Sequence, residues 1–130
     1  MRLFLALILC ATANLAYAQS ADSIARLVAR CGNGECQNAL SATLAGMNLD
    51  ATTNDTLEED LTMLALTLYG VAQTADDQET EQRVASALYI LATVAPDEEQ
   101  AQRFEGVADA IASGDTSLYD TQDPFSASPS

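Results

Sequence analysis

Two cysteines near the start of the chain are the residues whose spacing most directly suggests chemistry. Cys31 and Cys36 are separated by Gly-Asn-Gly-Glu, a stretch that predicts a tight corner between two helices. This corner would bring the two sulfurs together, and in an oxidising compartment such a pair closes into a disulfide. In the chain-entropy model, closing so short a loop stabilises the fold by about 2 kcal/mol. The sequence therefore predicts a structural Cys31–Cys36 disulfide.

Reactive alternatives fit this cysteine pair less well. A redox centre usually has two residues between its cysteines and its reactive thiol at a helix N-terminus, whereas Cys31 is expected at a helix C-terminus, which disfavours the thiolate. A zinc or iron–sulfur site would need further thiolate or imidazole ligands, and the chain contains no histidine. A redox-active thiol pair and a bond to a second chain are kept as alternatives.

Acidic residues form three clusters, at positions 58–60, 76–81 and 97–99. Each occupies the start of a predicted helix, where negative charge interacts favourably with the helix dipole by about 0.3–1 kcal/mol. If the helices alternate in direction, the first and third clusters share one end of the molecule. That end is a candidate surface for a cation or a basic partner, although solvated helix starts are the simpler explanation. The candidate residues are Glu58, Glu59, Asp60, Asp97, Glu98 and Glu99.

The residue types that are absent exclude much chemistry. The chain has no histidine, lysine or tryptophan, which removes histidine-based triads, Schiff bases and P-loops. We predict no catalytic residue, no cofactor and no metal ligand. The formal net charge of −14 repels phosphate backbones and anionic lipids, so we expect no nucleic acid partner. Carboxylates, hydroxyls, two cysteines and a few arginines are the groups left for function.

The elements that must position these residues show helical periodicity throughout, and strand periodicity nowhere. We predict five helices and an all-α fold, a small irregular antiparallel bundle of αα-hairpins, with an αα-superhelix as the alternative. The third helix, with the longest apolar stripe, is expected at the centre. The apolar stripes contain, in chain order, Ile24, Leu27, Val28 and Cys31; Cys36, Leu40, Leu44 and Met47; Leu57, Leu61, Leu64, Leu68 and Val71; Val84, Ala87, Leu88 and Leu91; and Phe104, Val107, Ala108 and Ile111.

Four sequence signals predict where these helices begin and end. Asn33 is a candidate cap for the second helix, and Thr56 with Glu59 predicts a capping box for the third. Pro96 is expected at the first position of the fifth helix, and Gly114 just after its end.

Apolar side chains beside the central stripes predict a second candidate surface. They widen the apolar face of the third and fourth helices beyond the width of one core stripe. Core packing is the competing explanation. The members of this candidate interaction face are Met63, Leu66, Tyr69, Tyr89 and Ile90.

The two ends of the chain are expected to differ from the middle. Residues 1–18 have a basic start, an apolar run and small residues before a polar sequence, which predicts a secretory signal peptide. Residues 19–114 are the expected helical domain, and residues 115–130 a disordered, acidic, flexible tail. Within that tail, Leu118, Tyr119 and Phe125 are candidates for docking on the domain or on a partner.

Together these patterns favour a secreted or periplasmic, non-enzymatic helical module that binds an unidentified macromolecule, with a basic protein as the candidate partner. No membrane span is expected in the mature part, and the oligomeric state is left undetermined. One alternative is a small enzyme that uses Cys31 and Cys36 as thiols or a carboxylate pair as acid and base. The other is a cation-responsive, calcium-binding secreted protein.

Overall fold

The computed structural model describes residues 23–115 together with 117, 119, 124 and 125. These residues form five α-helices and no β-strand, which confirms the all-α prediction. The predicted signal peptide and most of the predicted tail lie outside the described residues. The helices are α1 (23–32), α2 (Cys36–Ala45), α3 (Leu57–Thr74), α4 (Gln78–Val94) and α5 (Glu98–Ala112).

Consecutive helices alternate in direction from α3 to α5. The connections at 75–77 and 95–97 are too short for anything but a reversal. Gln82 near the start of α4 donates through Nε2 to the Ala112 carbonyl at the end of α5, at 3.0 Å. Gln100 at the start of α5 donates in the same way to the Glu58 carbonyl at the start of α3, at 2.8 Å. The starts of α3 and α5 therefore share one end of the bundle, and α4 starts at the other end.

The predicted apolar stripes meet in one continuous core. Burying a leucine or phenylalanine side chain stabilises the fold by about 1.5–3 kcal/mol relative to leaving it in water, so this core dominates the energetics. Val28 departs from the prediction, because 43% of its surface is exposed. The largest fully buried side chains are Phe104, Leu27, Leu40, Leu57, Leu61, Leu68, Leu88, Leu91 and Ile111.

The central helix is α4 instead of the predicted α3. Helix α4 packs extensively against α2, α3 and α5, whereas α3 makes its main contacts with α4 and fewer with α5. The longest stripe was expected to mark the centre, but α4 carries three alanines among its buried residues, Ala85, Ala87 and Ala92. These small side chains allow neighbouring helices to approach from more than one side.

The ends of the helices correct three of the four predicted signals. Thr56 precedes α3, but with φ −104° and ψ 11° it lacks the extended backbone of a cap, and its hydroxyl contacts Asn54 and Asp60 instead of the Glu59 backbone. Glu35 occupies the cap position expected for Asn33. Helix α5 begins at Glu98 and is capped by Asp97, whose carboxylate accepts from the Glu99 N–H at 3.3 Å, so Pro96 precedes the cap and does not occupy the first helical position.

The corner between α1 and α2 holds the cysteine pair as predicted. The sulfurs of Cys31 and Cys36 lie at disulfide-bonding distance, and both residues are buried in the core. Gly34 supplies the positive φ, +88°, that the corner requires. A Cβ atom on Gly34 would lie 2.9 Å from Nη1 of Arg83, so this corner also seats the Arg83 guanidinium from α4.

Candidate functional site

A cavity of about 450 Å³ opens between the starts of α3 and α5. Its lining combines carboxylates, apolar groups and polar groups with unused hydrogen-bonding atoms. We call this cavity the acidic groove. Its lining residues are Glu58, Glu59, Thr62, Met63, Leu66, Asp97, Gln100, Arg103 and Phe125.

One buried amide holds the two helix starts together at the groove. Gln100 is only 6% exposed, and its Nε2 donates to the Glu58 carbonyl at 2.8 Å and to Thr62 Oγ1 at 3.1 Å. A backbone carbonyl can only accept, so this contact also fixes the orientation of the amide. The sequence-based expectation that the clusters at 58–60 and 97–99 share one end is therefore met through a specific contact between α3 and α5.

The rim of the groove carries three carboxylates, those of Glu58, Glu59 and Asp97. Within the described residues, no cation pairs with any of the three. The other members of the predicted acidic surface do not line the groove. Asp60 contacts the Thr56 hydroxyl, Glu99 pairs with Arg103 at 3.0 Å, and Glu98 lies exposed at the start of α5.

The floor of the groove is apolar. Met63 is 54% exposed, and Leu66 is half-buried beside it. Phe125 forms the remaining apolar wall and is itself 3% exposed. An apolar surface next to unpaired carboxylates suits a ligand that has both an apolar group and a positive charge.

Phe125, near the C-terminal end of the described residues, packs on the helices. Its ring packs edge-on against Phe104, with centroids 5.6 Å apart, and against Tyr69 at 6.1 Å. Of the three tail residues that the sequence analysis named, Phe125 and, as described next, Tyr119 dock on the domain. Leu118 lies outside the described residues.

Tyr119 docks at the opposite end of the bundle from the groove. Its ring lies 5.8 Å from that of Tyr69, its hydroxyl donates to Glu81, and its carbonyl accepts from Gln73. Partial burial, with the Glu81 carboxylate nearby, raises the pKa of Tyr119 to about 12. The phenol therefore stays neutral, and able to donate, across the physiological pH range.

The predicted interaction face divides into groove residues and others. Met63 and Leu66 line the groove, whereas Tyr69 is a core residue at 2% exposure. Tyr89 is partly exposed on α4, and its hydroxyl donates to the Asp109 carboxylate, which raises the pKa of Tyr89. Ile90 is half-buried against the core.

Two buried polar atoms at the groove have no hydrogen-bond partner, Oε1 of Gln100 and Nε of Arg103. An unpaired buried polar atom costs about 1–3 kcal/mol, so such atoms are rare in native structures and call for an explanation. The sequence analysis did not single out either residue. The available signal was Gln100 itself, a polar residue in line with Phe104, Val107 and Ile111 on the apolar stripe of α5.

The acidic run at the other end of the bundle contains Asp76, Asp77, Glu79 and Glu81. Two of its carboxylates are engaged: Glu79 pairs with Arg83 at 2.7 Å, and Glu81 accepts from Tyr119. Arg83 in turn packs on Gly34, so α4 contacts the cysteine corner through this pair.

The described residues contain neither a cluster of metal ligands nor a free thiol. No group of three or more histidine, cysteine or carboxylate side chains in that part of the chain is placed to hold a metal ion. Both cysteine sulfurs are bonded and buried. An enzyme that used them as thiols would need a reduced and opened form of the α1–α2 corner.

Comparisons with known proteins found no relative from which a function could be inferred, so the inference rests on the groove. A scan against protein-family models matched none, and searches of curated proteins and of solved structures found no significant match. None of the described helices combines the length and the apolar character needed to cross a lipid bilayer.

Proposed function

We propose that this protein is an exported, non-enzymatic binding module whose acidic groove receives a basic segment of a partner protein. The bound segment places an apolar side chain on Met63 and Leu66. Its flanking cationic groups lie against Glu58, Glu59 and Asp97.

The observation that carries this proposal is the meeting of unpaired carboxylates and exposed apolar surface in one cavity. Carboxylates at a helix start are explained by the helix dipole, and a single exposed methionine needs no explanation. Their convergence on a cavity of about 450 Å³ is explained by neither. That volume is within the usual range for a small ligand or for one anchoring side chain with its neighbours.

Charge complementarity supports a basic occupant. The chain has 19 acidic and 5 basic residues, so a basic segment is attracted from a distance, and the unpaired rim directs it to the groove. Arg103 is the only cation among the residues that line the groove, and its guanidinium already pairs with Glu99.

Export is proposed on two grounds. Residues 1–18 have the composition of a secretory signal peptide. A bonded cysteine pair is also typical of proteins that work outside the reducing cytosol. The partner is accordingly sought among basic proteins of the periplasm or the extracellular space.

The test uses a fluorescent peptide with blocked ends and the sequence Lys-Lys-Leu-Lys-Lys, called here the leucine probe. A serine probe has serine in place of leucine and the same charge. Fluorescence anisotropy of the mature protein should show the leucine probe binding about tenfold more tightly, because a buried leucine contributes about 1.5–3 kcal/mol. Equal affinity for the two probes would contradict an apolar floor that binds ligand.

A matched pair of variants tests the rim. Glu58→Gln with Glu59→Gln removes two charges from the groove, and Asp76→Asn with Asp77→Asn removes two charges from the other end. At low salt the first variant should bind the leucine probe about fivefold more weakly, and the second should change affinity by less than about twofold. Equal losses would mean that the net charge of the protein, and not the groove, attracts the probe.

A further inference from the structure

The two buried atoms without a partner, Gln100 Oε1 and Arg103 Nε, indicate which part of the ligand the groove recognises. Resting on the proposed function, we infer that the groove binds the main chain of the partner segment: one extended residue of that segment donates its N–H to Gln100 Oε1 and accepts at its carbonyl from Arg103 Nε–H. The ligand class is then a peptide with a free backbone amide beside its apolar anchor. Small organic amines and metal cations lack that combination.

The chemistry of the two atoms supports this assignment. The Gln100 amide nitrogen is held by Glu58 and Thr62, so its oxygen is left as an acceptor without a donor. The Arg103 guanidinium uses Nη2 for Glu99, so its Nε–H is left as a donor without an acceptor. The main chain of each residue other than proline supplies one donor and one acceptor, and in an extended segment both point to the same side, which is the complement of this pair.

Their placement supports it as well. Residues 100 and 103 are three apart in α5, so their side chains emerge from the same face of the helix, and both line the groove. Gln100 is more than nine-tenths buried, so water does not satisfy its unpaired oxygen as it would at the surface.

Access to these atoms requires one wall of the groove to open, because both are buried in the free protein. Phe125 is the lining residue that comes from the C-terminal segment, whereas the others lie in α3, in α5 or at the cap of α5. Its ring can leave without unwinding a helix. In the bound state the apolar anchor of the ligand rests on Met63 and Leu66 and extends into the space that the Phe125 ring leaves.

The experiment is an ester scan of the leucine probe, in which each backbone amide in turn is replaced by an ester that lacks the N–H. We expect one position at which the ester binds about three- to tenfold more weakly, the usual value of one hydrogen bond. That loss should disappear in Gln100→Met, which keeps the side-chain size and removes the acceptor. Arg103→Lys keeps the charge but lacks Nε, so we expect it to bind the unmodified probe about three- to tenfold more weakly.

Because each comparison is an amide-to-ester ratio within one variant, a general change in affinity or stability cancels. A flat scan with a probe that binds, or a loss that persists in Gln100→Met, would overturn main-chain recognition while the proposed function stands. If wild type does not distinguish the leucine probe from the serine probe, the proposed function itself fails. Phe125→Ala should bind the leucine probe several-fold more tightly, and weaker binding would overturn the route through the Phe125 wall.

Discussion

The two acidic ends of this bundle start from the same sequence signal and finish differently. At one end the starts of α3 and α5 lie side by side, and the carboxylates of Glu58, Glu59 and Asp97 line a cavity in which no cation of the described residues pairs with them. At the other end α4 starts alone, Glu79 pairs with Arg83, and Glu81 accepts from Tyr119. The carboxylates are used for ligand binding, in our proposal, only where two helix starts converge.

The difference teaches that an acidic run is not in itself a site. A helix dipole explains each run separately, and an internal partner can then engage its carboxylates. The groove differs because its carboxylates lie beside an exposed apolar floor and beside Gln100. The Gln100 amide joins α5 to α3 and leaves one oxygen unpaired. The predictions that follow compare parts of these two ends.

The largest expected effect separates the core below the groove from the groove floor. Phe104→Ala removes a fully buried ring that supports Phe125, and should lower the free energy of unfolding by about 3–5 kcal/mol. Met63→Ala removes a side chain that is 54% exposed, and should change it by less than about 0.5 kcal/mol. Urea denaturation of the two variants is the measurement. A loss of several kcal/mol in Met63→Ala would show that Met63 is a core residue, so that the groove has no free floor.

A smaller change in the free energy of unfolding is expected at the corner where Gly34 packs against Arg83, the partner of Glu79. Gly34→Ala forces a side chain into a residue with φ +88° and against the Arg83 guanidinium, so it should destabilise the fold by about 1–2 kcal/mol. The control is Gly106→Ala in α5, where a Cβ meets nothing within 4 Å, and which should stabilise by about 0.5–1 kcal/mol. Thermal unfolding of both proteins measures the difference. A neutral Gly34→Ala would mean that Arg83 does not pack on this corner.

The smallest effect concerns the attachment of Tyr119. Its pKa is raised from 10.0 to about 12, so the folded state holds the phenol proton more tightly than the unfolded chain does. The stabilisation from docking is therefore complete below about pH 10 and is lost as the pH rises through about 12. An ultraviolet titration of tyrosinate should show a step near pH 12 that Tyr119→Phe lacks. A step at the ordinary tyrosine pKa would place Tyr119 in solvent, away from Glu81.

Periodicity alone predicted most of the fold, because the residues that recur every three or four positions are the ones buried in the core. The caps were predicted less well. Thr56 and Pro96 have the right chemistry for a helix start, but the backbone angles that decide whether a side chain can cap depend on how the chain enters the helix. The central position of α4 likewise depends on which helices pack against each other, and the length of an apolar stripe does not predict that.

The groove could be predicted only in part. Alternation of helix direction placed the two acidic clusters at one end, and Met63 and Leu66 were predicted as part of a candidate interaction face, with core packing as the alternative. The sequence did not reveal that Met63 and Leu66 adjoin the start of α5, because the rotation of α3 about its axis relative to α5 is set by packing. Gln100 was a missed signal: a polar residue on an apolar stripe is expected to be buried, and a buried amide must find partners.

The most direct test of the account maps where a basic peptide binds. Nitrogen–proton correlation spectra of the uniformly labelled mature protein would be recorded while the leucine probe is added. The account predicts shifts concentrated at Thr62, Met63, Gln100 and Arg103, with little change at Asp76 and Asp77. Shifts concentrated at the start of α4, or spread evenly over both acidic ends, would contradict the central claim that the acidic groove is the binding site.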